Sequence, residues 1–198
     1  MGLEIDYIYG QTPITEEEKE GLMIQTISNR KELDEFEQLN IETAVEWSLK
    51  QKFTAERILT TKFILDVHKR MFNKTWKWAG KIRTSNKNLG IDKFQINQEM
   101  KVVCDDCKYW IENNTYSDEE IAIRFKYRIV SVHPFPNGNG RHSRLCADIL
   151  ISHVFNKDVF SWGRFNLVKP GDSRKKYLEA IYVADNGDIR SLLEFART

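Results

Sequence analysis

Residues 133–144 read HPFPNGNGRHSR and lie between two segments whose apolar residues recur every three or four positions. Gly138 and Gly140 can adopt backbone angles closed to other residues, so successive N–H groups can converge on one point. At the start of a helix such a turn binds anions, because the first N–H groups are unpaired and the helix dipole is positive there. Pro134 disfavours helical geometry in the residue before it, so the first helix should end at His133. The stretch therefore predicts a helix, an anion-binding turn and a second helix.

The side chains of this turn suit a polyphosphate. Arg141 and Arg144 are three positions apart, so they share a helix face, and guanidinium groups match phosphate oxygens. Asn139 can add an amide N–H donor. His133 precedes the turn, and an imidazole of ordinary pKa, about 6.5, accepts protons near pH 7. These residues predict a phosphate site beside a base that takes the proton of a hydroxyl attacking phosphorus.

Bulk composition limits the class of protein. The 198 residues are 41% hydrophobic and 30% charged with a net charge of +1, which is typical of a soluble globular domain. Positive charge is not concentrated as nucleic-acid binding requires, and no apolar stretch approaches the roughly 20 residues that cross a bilayer. The N-terminus does not resemble a signal peptide, and three cysteines form no disulfide framework. We expect a cytoplasmic protein that binds neither nucleic acid nor membranes.

The periodicity predicts a mainly α-helical domain with one small β-hairpin. Thr15 and Glu18 have the spacing of a capping box, which indicates a short acidic helix. Turn formers followed by strand formers predict the hairpin over residues 84–97, TSNKNLGIDKFQIN. The remaining helices are expected over about 30–50, after Thr54, over 98–113, after Ser117, after the glycine turn, and over 173–184 and 188–197.

HPFPNGNGRHSR resembles the signature of the Fic (filamentation induced by cAMP) family, HPFx, then Asp or Glu, then GNGRxxR. WAGKIR at 78–83 is similar to the family's lead into its flap hairpin, and the C-terminal part is similar as well. The layout looks most like the subgroup named mobile mystery protein B. The resemblance implies the Fido fold, an all-α Fic core with one small β-hairpin flap. It also implies a Fic domain over 30–198, preceded by an N-terminal arm over 1–29 with the acidic helix.

Fic proteins mostly transfer AMP from ATP to a hydroxyl side chain of a target protein. The resemblance therefore implies ATP and a target bearing a Ser, Thr or Tyr hydroxyl as partners; the oligomeric state, a homo-oligomer included, stays open. By position, His133 would be the general base and Phe135 would hold the loop in the core. The anion hole would be formed by Gly138, Asn139 and Gly140, and the phosphates would be contacted by Arg141 and Arg144. The flap that clamps the target would consist of Leu89, Gly90, Ile91 and Phe94.

One position departs from the signature. Asn137 stands where the family has the acidic residue that helps to hold Mg²⁺ against the phosphates. An amide oxygen can ligate Mg²⁺ but adds no negative charge, so weaker metal binding is expected. The change keeps two alternatives open. One is transfer of another nucleotide or of a phosphoryl group, and the other is a nucleotide-binding module with little activity. Gly140 argues against the related Doc-type kinases, which carry a basic residue there.

Many Fic proteins are inhibited by a glutamate within (Ser/Thr)xxxE(Gly/Asn) that pairs with the second arginine of the signature. No stretch of this chain matches fully. Glu20 is followed by Gly21, but the hydroxyl residue is missing four places earlier. Glu37 lies beside the apolar face of the long helix before the core, where acidic residues are unusual unless paired. Glu37 and Glu20 are therefore the two inhibitory candidates.

Overall fold

The computed structural model describes residues 15–163 and 170–198, and within these ranges the chain forms nine α-helices. The predicted acidic helix and its reciprocal cap by Thr15 and Glu18 are confirmed. The bounds are α1 Glu16–Lys19, α2 Arg30–Leu49, α3 Ala55–Ile58, α4 Thr61–Phe72, α5 Ile96–Glu112, α6 Asp118–Val132, α7 Asn139–His153, α8 Pro170–Asp185 and α9 Arg190–Arg197.

The core is built around α6, which packs against α5, α7 and α9. Ser117 caps its N-terminus by accepting a hydrogen bond from the Glu120 N–H, as the capping-box pattern predicts. The residues that recur every three or four positions on its inner face are all buried: Ile121, Phe125, Ile129 and Val132. A second layer pairs α2 with α4, and α4 in turn contacts α7. The α6–turn–α7 unit is therefore held from both sides.

Local chemistry shifts one predicted helix boundary. The helix expected after Thr54 is interrupted at Leu59, and Thr60 caps a new helix by accepting a hydrogen bond from the Phe63 N–H. Within the described ranges, none of the helices is both long enough and apolar enough to cross a membrane.

The predicted β-hairpin over 84–97 is wrong. Residues 84–95, here called the flap segment, consist of bends and turns, and α5 already begins at Ile96. Asn86 explains the difference, because its side-chain oxygen accepts from the Lys93 N–H and its amide donates to Asp92. The Asn86 side chain thus occupies a backbone N–H that a facing strand would need, and it is itself held by a second side chain. In the part of the chain that the structure describes, strand pairing is limited to one isolated bridge between Leu22 and Trp76.

The N-terminal side of the described chain packs against the flap segment. Glu18 of α1 forms an ion pair with Lys87 at 2.5 Å, and both side chains are largely buried. The Glu18 carbonyl also accepts a hydrogen bond from the indole N–H of Trp78. Residues 1–14 of the predicted arm lie outside the described ranges, so the division into an arm over 1–29 and a domain over 30–198 stays a prediction.

Candidate active site

The turn between α6 and α7 reverses the chain through two residues with left-handed backbone angles. His133 follows the last residue of α6 with φ 55° and ψ 58°, and Gly138 precedes α7 with φ 78°. A left-handed histidine is uncommon, so the surrounding contacts must hold it in place. The helix therefore ends at His133 as the sequence predicts, in a conformation that Pro134 alone does not require.

Asn139 fixes the turn from inside. Its side-chain oxygen accepts from the Phe135 N–H at 3.0 Å, and its amide donates to the Phe135 carbonyl at 2.9 Å. The side chain is buried, so it is not the donor to phosphate that the sequence suggested. Phosphate contact by Asn139 would have to come from its backbone N–H at the start of α7.

Phe135 and His68 form the floor of the turn. Phe135 is fully buried, and its ring stacks on the His68 ring with centroids 3.6 Å apart. His68 accepts the Gly80 N–H at Nδ1, so Nε2 carries the proton and donates to the Asn137 carbonyl at 3.1 Å. Burial holds the His68 pKa well below its usual value, which keeps this arrangement neutral. The role of Phe135 in holding the loop agrees with this packing, whereas the sequence pattern did not single out His68.

His133, the predicted base, is a largely buried imidazole at the end of α6. Its Nδ1 lies 3.2 Å from the Val130 carbonyl, so in the neutral ring Nδ1 carries the proton and Nε2 carries the lone pair. Burial lowers the His133 pKa to about 4; the bond to Val130 opposes this shift, and the nearby charges of Arg83 and Lys87 add to it. The ring is therefore neutral at pH 7 and able to accept a proton at Nε2.

One cavity of about 710 Å³ collects the predicted phosphate residues. The base and every turn residue predicted to contact phosphate line it: His133, Gly138, Asn139, Gly140, Arg141 and Arg144. Asn137, the candidate metal ligand, lines it too, and its side-chain oxygen accepts the Gly138 N–H at 2.6 Å. The lining also includes five largely apolar side chains, here called the apolar wall: Trp162, Tyr177, Leu178, Ile181 and Phe195.

Three of the four predicted flap residues lie at this cavity. Leu89, Gly90 and Ile91 line it, whereas Phe94 is 83% exposed and lies outside it. An exposed aromatic ring next to the cavity mouth leaves a target-binding role for Phe94 open as a prediction.

Of the two inhibitory candidates, only Glu37 reaches the site. Glu37 is 2% exposed; one of its oxygens accepts the Trp76 indole N–H at 2.6 Å, and the other lies 2.7 Å from the Arg141 guanidinium. The family resemblance implied that the inhibitory glutamate pairs with Arg144, the second arginine of the signature. In the structure the carboxylate of Glu37 contacts Arg141, the first arginine, instead. Glu20 is the exposed residue after α1 and does not line the cavity.

Lys126 is a site-adjacent residue that the sequence analysis missed. It is fully buried on α6, and its ammonium donates to the Tyr177 hydroxyl at 2.7 Å. The guanidinium of Arg144 lies 5.4 Å from the centroid of the same tyrosine ring. Burial, with a smaller contribution from Arg144, holds the Lys126 pKa well below its usual value. Lys126 lies three positions before Ile129, which places it on the buried face of α6. The helical periodicity is therefore the sequence signal that could have identified it.

Replacing each of the two turn glycines with alanine should affect a different property: stability at Gly138 and ATP affinity at Gly140. A Cβ at Gly138 would lie 2.5 Å from the Phe72 ring at a φ of 78°, so Gly138→Ala should lower the free energy of unfolding by about 2–3 kcal/mol. A Cβ at Gly140 meets nothing nearer than the Tyr177 hydroxyl at 3.9 Å. Gly140→Ala should keep the fold and, by placing a methyl group in the cavity, weaken ATP binding about tenfold. Denaturant unfolding and calorimetric ATP titration of both variants measure this contrast.

Comparison with known proteins finds similarity to one described family over the segment that contains this turn. Residues 58–151 match the model of the Fic/DOC family. The chain is 27% identical over 140 residues to the protein adenylyltransferase fic-1 of Caenorhabditis elegans, covering 67% of this chain and 25% of that protein. It is 25% identical over 197 residues to the protein adenylyltransferase Fic of Drosophila virilis, covering 95% of this chain and 38% of that protein. The chain thus spans well under half the length of these curated relatives.

Solved structures show the same fold at low identity. A fragment of Fic-1 from C. elegans superposes with a TM-score of 0.66 at 21% identity, covering 90% of this chain and 51% of the fragment. The BepC protein of Bartonella tribocorum, with bound AMPPNP, gives 0.67 at 18% identity, covering 92% of this chain and 97% of BepC.

Proposed function

We propose that the chain is a protein adenylyltransferase, which transfers AMP from ATP to a hydroxyl side chain of a target protein. The match of residues 58–151 to the Fic/DOC family model supports this proposal. The observation that carries the proposal is the shared cavity, which is lined by His133, by the glycine turn and by two arginines. The names of the curated relatives support the same reaction class.

The proposed reaction uses this chain's own groups as follows. His133 takes the proton of the target hydroxyl at Nε2 while the hydroxyl oxygen forms a bond to the α-phosphorus. The bond from that phosphorus to the bridging oxygen of the β-phosphate breaks, and pyrophosphate leaves with the electron pair. Arg141, Arg144 and the first N–H groups of α7 neutralise the charge on the phosphate oxygens. The apolar wall with Tyr177 and Ile181 has the character needed to hold a nucleobase.

Asn137 is the candidate ligand for Mg²⁺. Its side-chain oxygen accepts the Gly138 N–H, and an amide oxygen is also a suitable ligand for a hard cation. Within the described residues no group of three acidic, histidine or cysteine side chains is placed to hold a metal ion, so the ATP phosphates would supply most of the charge. Bound in this way, Mg²⁺ would neutralise phosphate charge.

Restoring the acidic residue should strengthen metal binding. We expect Asn137→Asp to raise the affinity of the ATP-bound protein for Mg²⁺ by about tenfold, because one hydrogen-bonded neutral ligand becomes a charged one. Calorimetric titration of Mg²⁺ into the ATP-bound protein measures the change. Asn113→Asp, a matched substitution at the exposed residue after α5 and outside the cavity lining, serves as the control; an equal rise in both variants would contradict a site at Asn137.

We propose that Glu37 restrains this activity. Its carboxylate occupies the Arg141 guanidinium, which the reaction needs for phosphate, and the bond from Trp76 holds it there. A charged hydrogen bond of this kind is among the stronger ones in proteins.

The experiment that tests the function is a self-labelling assay. The protein and its Glu37→Ala variant are incubated with Mg²⁺ and ATP and examined by intact mass, with ATP labelled at the α- or the γ-phosphate in parallel. A gain of one AMP, with label from the α-phosphate only, is the expected result. Label from the γ-phosphate would indicate phosphoryl transfer instead. Calorimetric ATP binding without any label would favour the nucleotide-binding module that Asn137 keeps open.

Two further assignments belong to the same proposal. We propose a cytoplasmic location, supported by three buried free thiols that a reducing compartment would preserve. We also propose the mobile mystery protein B subgroup, supported by the sequence layout, and a Ser, Thr or Tyr hydroxyl as acceptor. The acceptor is identified by measuring AMP transfer to three target peptides, of which one carries only Ser, one only Thr and one only Tyr as its hydroxyl residue.

A further inference from the structure

Arg83 lies outside the signature, yet its side chain joins the signature to the flap segment. The residue is 2% exposed. Its Nε donates to the His133 carbonyl at 2.7 Å, Nη1 donates to the Ser85 carbonyl at 2.8 Å, and Nη2 donates to the Ile91 carbonyl. Its backbone N–H donates to the Pro134 carbonyl at 2.9 Å. One guanidinium thus connects the backbone of the base with both ends of the loop that covers it.

The flap segment lies directly on the base at this point. The Ile91 N–H donates to the Val132 carbonyl at 3.4 Å. Gly90 has φ 93°, and a Cβ built there would lie 2.4 Å from the Cβ of His133. The backbone of the flap segment therefore approaches the Cβ of His133 as closely as only a glycine allows, so the position of the segment and that of the His133 side chain depend on each other.

The contacts require an arginine. A planar guanidinium presents five N–H donors in a fixed fork, so it can bond three carbonyl oxygens that point from different directions. A lysine ammonium keeps the charge on a flexible stem but does not reproduce that fork. The left-handed backbone of His133 is uncommon, so neighbouring groups must hold it in place. Arg83 is one of them, because its Nε donates a hydrogen bond to the backbone carbonyl of His133.

We propose that Arg83 is a positioning residue that holds His133 and the flap segment in one arrangement. The base and the surface that receives the target then keep a fixed position relative to each other. The role in transfer rests on the proposed function. The Arg83 side chain itself is absent from the residues that line the cavity, so ATP binding should not depend on it. Loss of the clamp should affect the transfer step and leave nucleotide affinity unchanged.

The test compares Arg83→Gln and Arg83→Lys in the full chain, with Arg124→Gln as the matched control. Arg124 pairs with Glu120 on the outer side of α6 and is absent from the cavity lining. Three quantities are measured: amide hydrogen exchange over residues 84–95, the ATP dissociation constant, and the single-turnover rate of self-labelling. For Arg83→Gln we expect faster exchange in the flap segment, unchanged ATP affinity, and a transfer rate lower by about 100-fold, as small misplacements of catalytic groups produce.

The lysine variant separates charge from geometry. Arg83→Lys should recover only part of the rate and of the exchange protection, because it restores the charge without the three-way contact. Wild-type exchange and wild-type transfer in Arg83→Gln would overturn the inference, as would equal losses of ATP affinity and transfer rate, which indicate general disruption. Should Arg83→Gln fail to fold by circular dichroism, Arg83→Lys decides: wild-type values for exchange and rate in that variant overturn the clamp. If the parent protein shows no AMP transfer, the proposed function fails, while flap exchange still decides whether Arg83 holds the loop.

Discussion

Replacing His133 with alanine should lower the rate of AMP transfer by about 100- to 10,000-fold, the usual contribution of a positioned base. The hydroxyl of the target would then have no nearby group to take its proton. The ATP dissociation constant should stay unchanged, because the turn and the arginines that line the cavity remain. Single-turnover labelling from α-labelled ATP and calorimetric ATP binding measure the two quantities on the same preparation.

A second histidine on the neighbouring helix provides the control. His153 lies at the end of α7 beside Phe53, with ring centroids 5.0 Å apart, and it is absent from the cavity lining. His153→Ala should therefore leave transfer unchanged. Undiminished labelling in His133→Ala would remove the proposed base and with it the proposed reaction.

The pH profile gives a further check on the same residue. Burial lowers the His133 pKa to about 4, so the basic form persists at pH values where an ordinary imidazole is mostly protonated. The nearby charges that lower the His133 pKa are Arg83 and Lys87. The charged groups that line the cavity are Arg141, Arg144, Asp185, Arg30 and Asp34. The rate should hold between about pH 6 and 5 and fall only as pH drops further through the folded pKa. If the rate instead falls to half its maximum at about pH 6.5, the ordinary pKa of an imidazole, the flap segment opens and exposes the ring before proton transfer.

Removing the Glu37 carboxylate should release Arg141 and increase both ATP affinity and self-labelling. Hydrogen bonds between charged groups contribute about 1.5–3 kcal/mol, so a gain of at least about tenfold is expected. Glu37→Gln keeps an oxygen for the Trp76 indole N–H and weakens only the pairing with Arg141. Glu37→Ala removes both contacts and should also lower the free energy of unfolding by about 1–3 kcal/mol, because a buried N–H loses its partner.

Glu20→Ala is the natural comparison, because Glu20 was the rival inhibitory candidate and is exposed after α1. Its labelling and ATP affinity should match those of the unchanged protein. If Glu37→Gln and Glu37→Ala bind ATP no better than the parent, the carboxylate stabilises the fold without restraining the site. If Glu20→Ala labels faster, the inhibitory assignment belongs to α1.

The sequence by itself determined the elements that depend on local chemistry. Capping residues Thr15 and Ser117 start their helices as predicted, and Pro134 ends α6 before it. The short string from His133 to Arg144 was enough to identify the cavity-lining residues of the turn and of the start of α7, because consecutive residues in a turn and one helix face must stay together. These interactions join neighbours in the chain, so spacing alone encodes them.

Tertiary structure decided every feature that joins distant segments. The carboxylate of Glu37 meets Arg141 across 104 positions of sequence, counted as 141 minus 37, and no local pattern indicates which arginine it pairs with. Arg83 contacts His133 fifty positions away, and the flap segment lost its predicted strands because Asn86 and Arg83 bond its backbone. Such contacts depend on the direction and distance of groups brought together only by the packing of helices. Their physical basis, burial together with hydrogen-bond geometry, exists only in the folded chain.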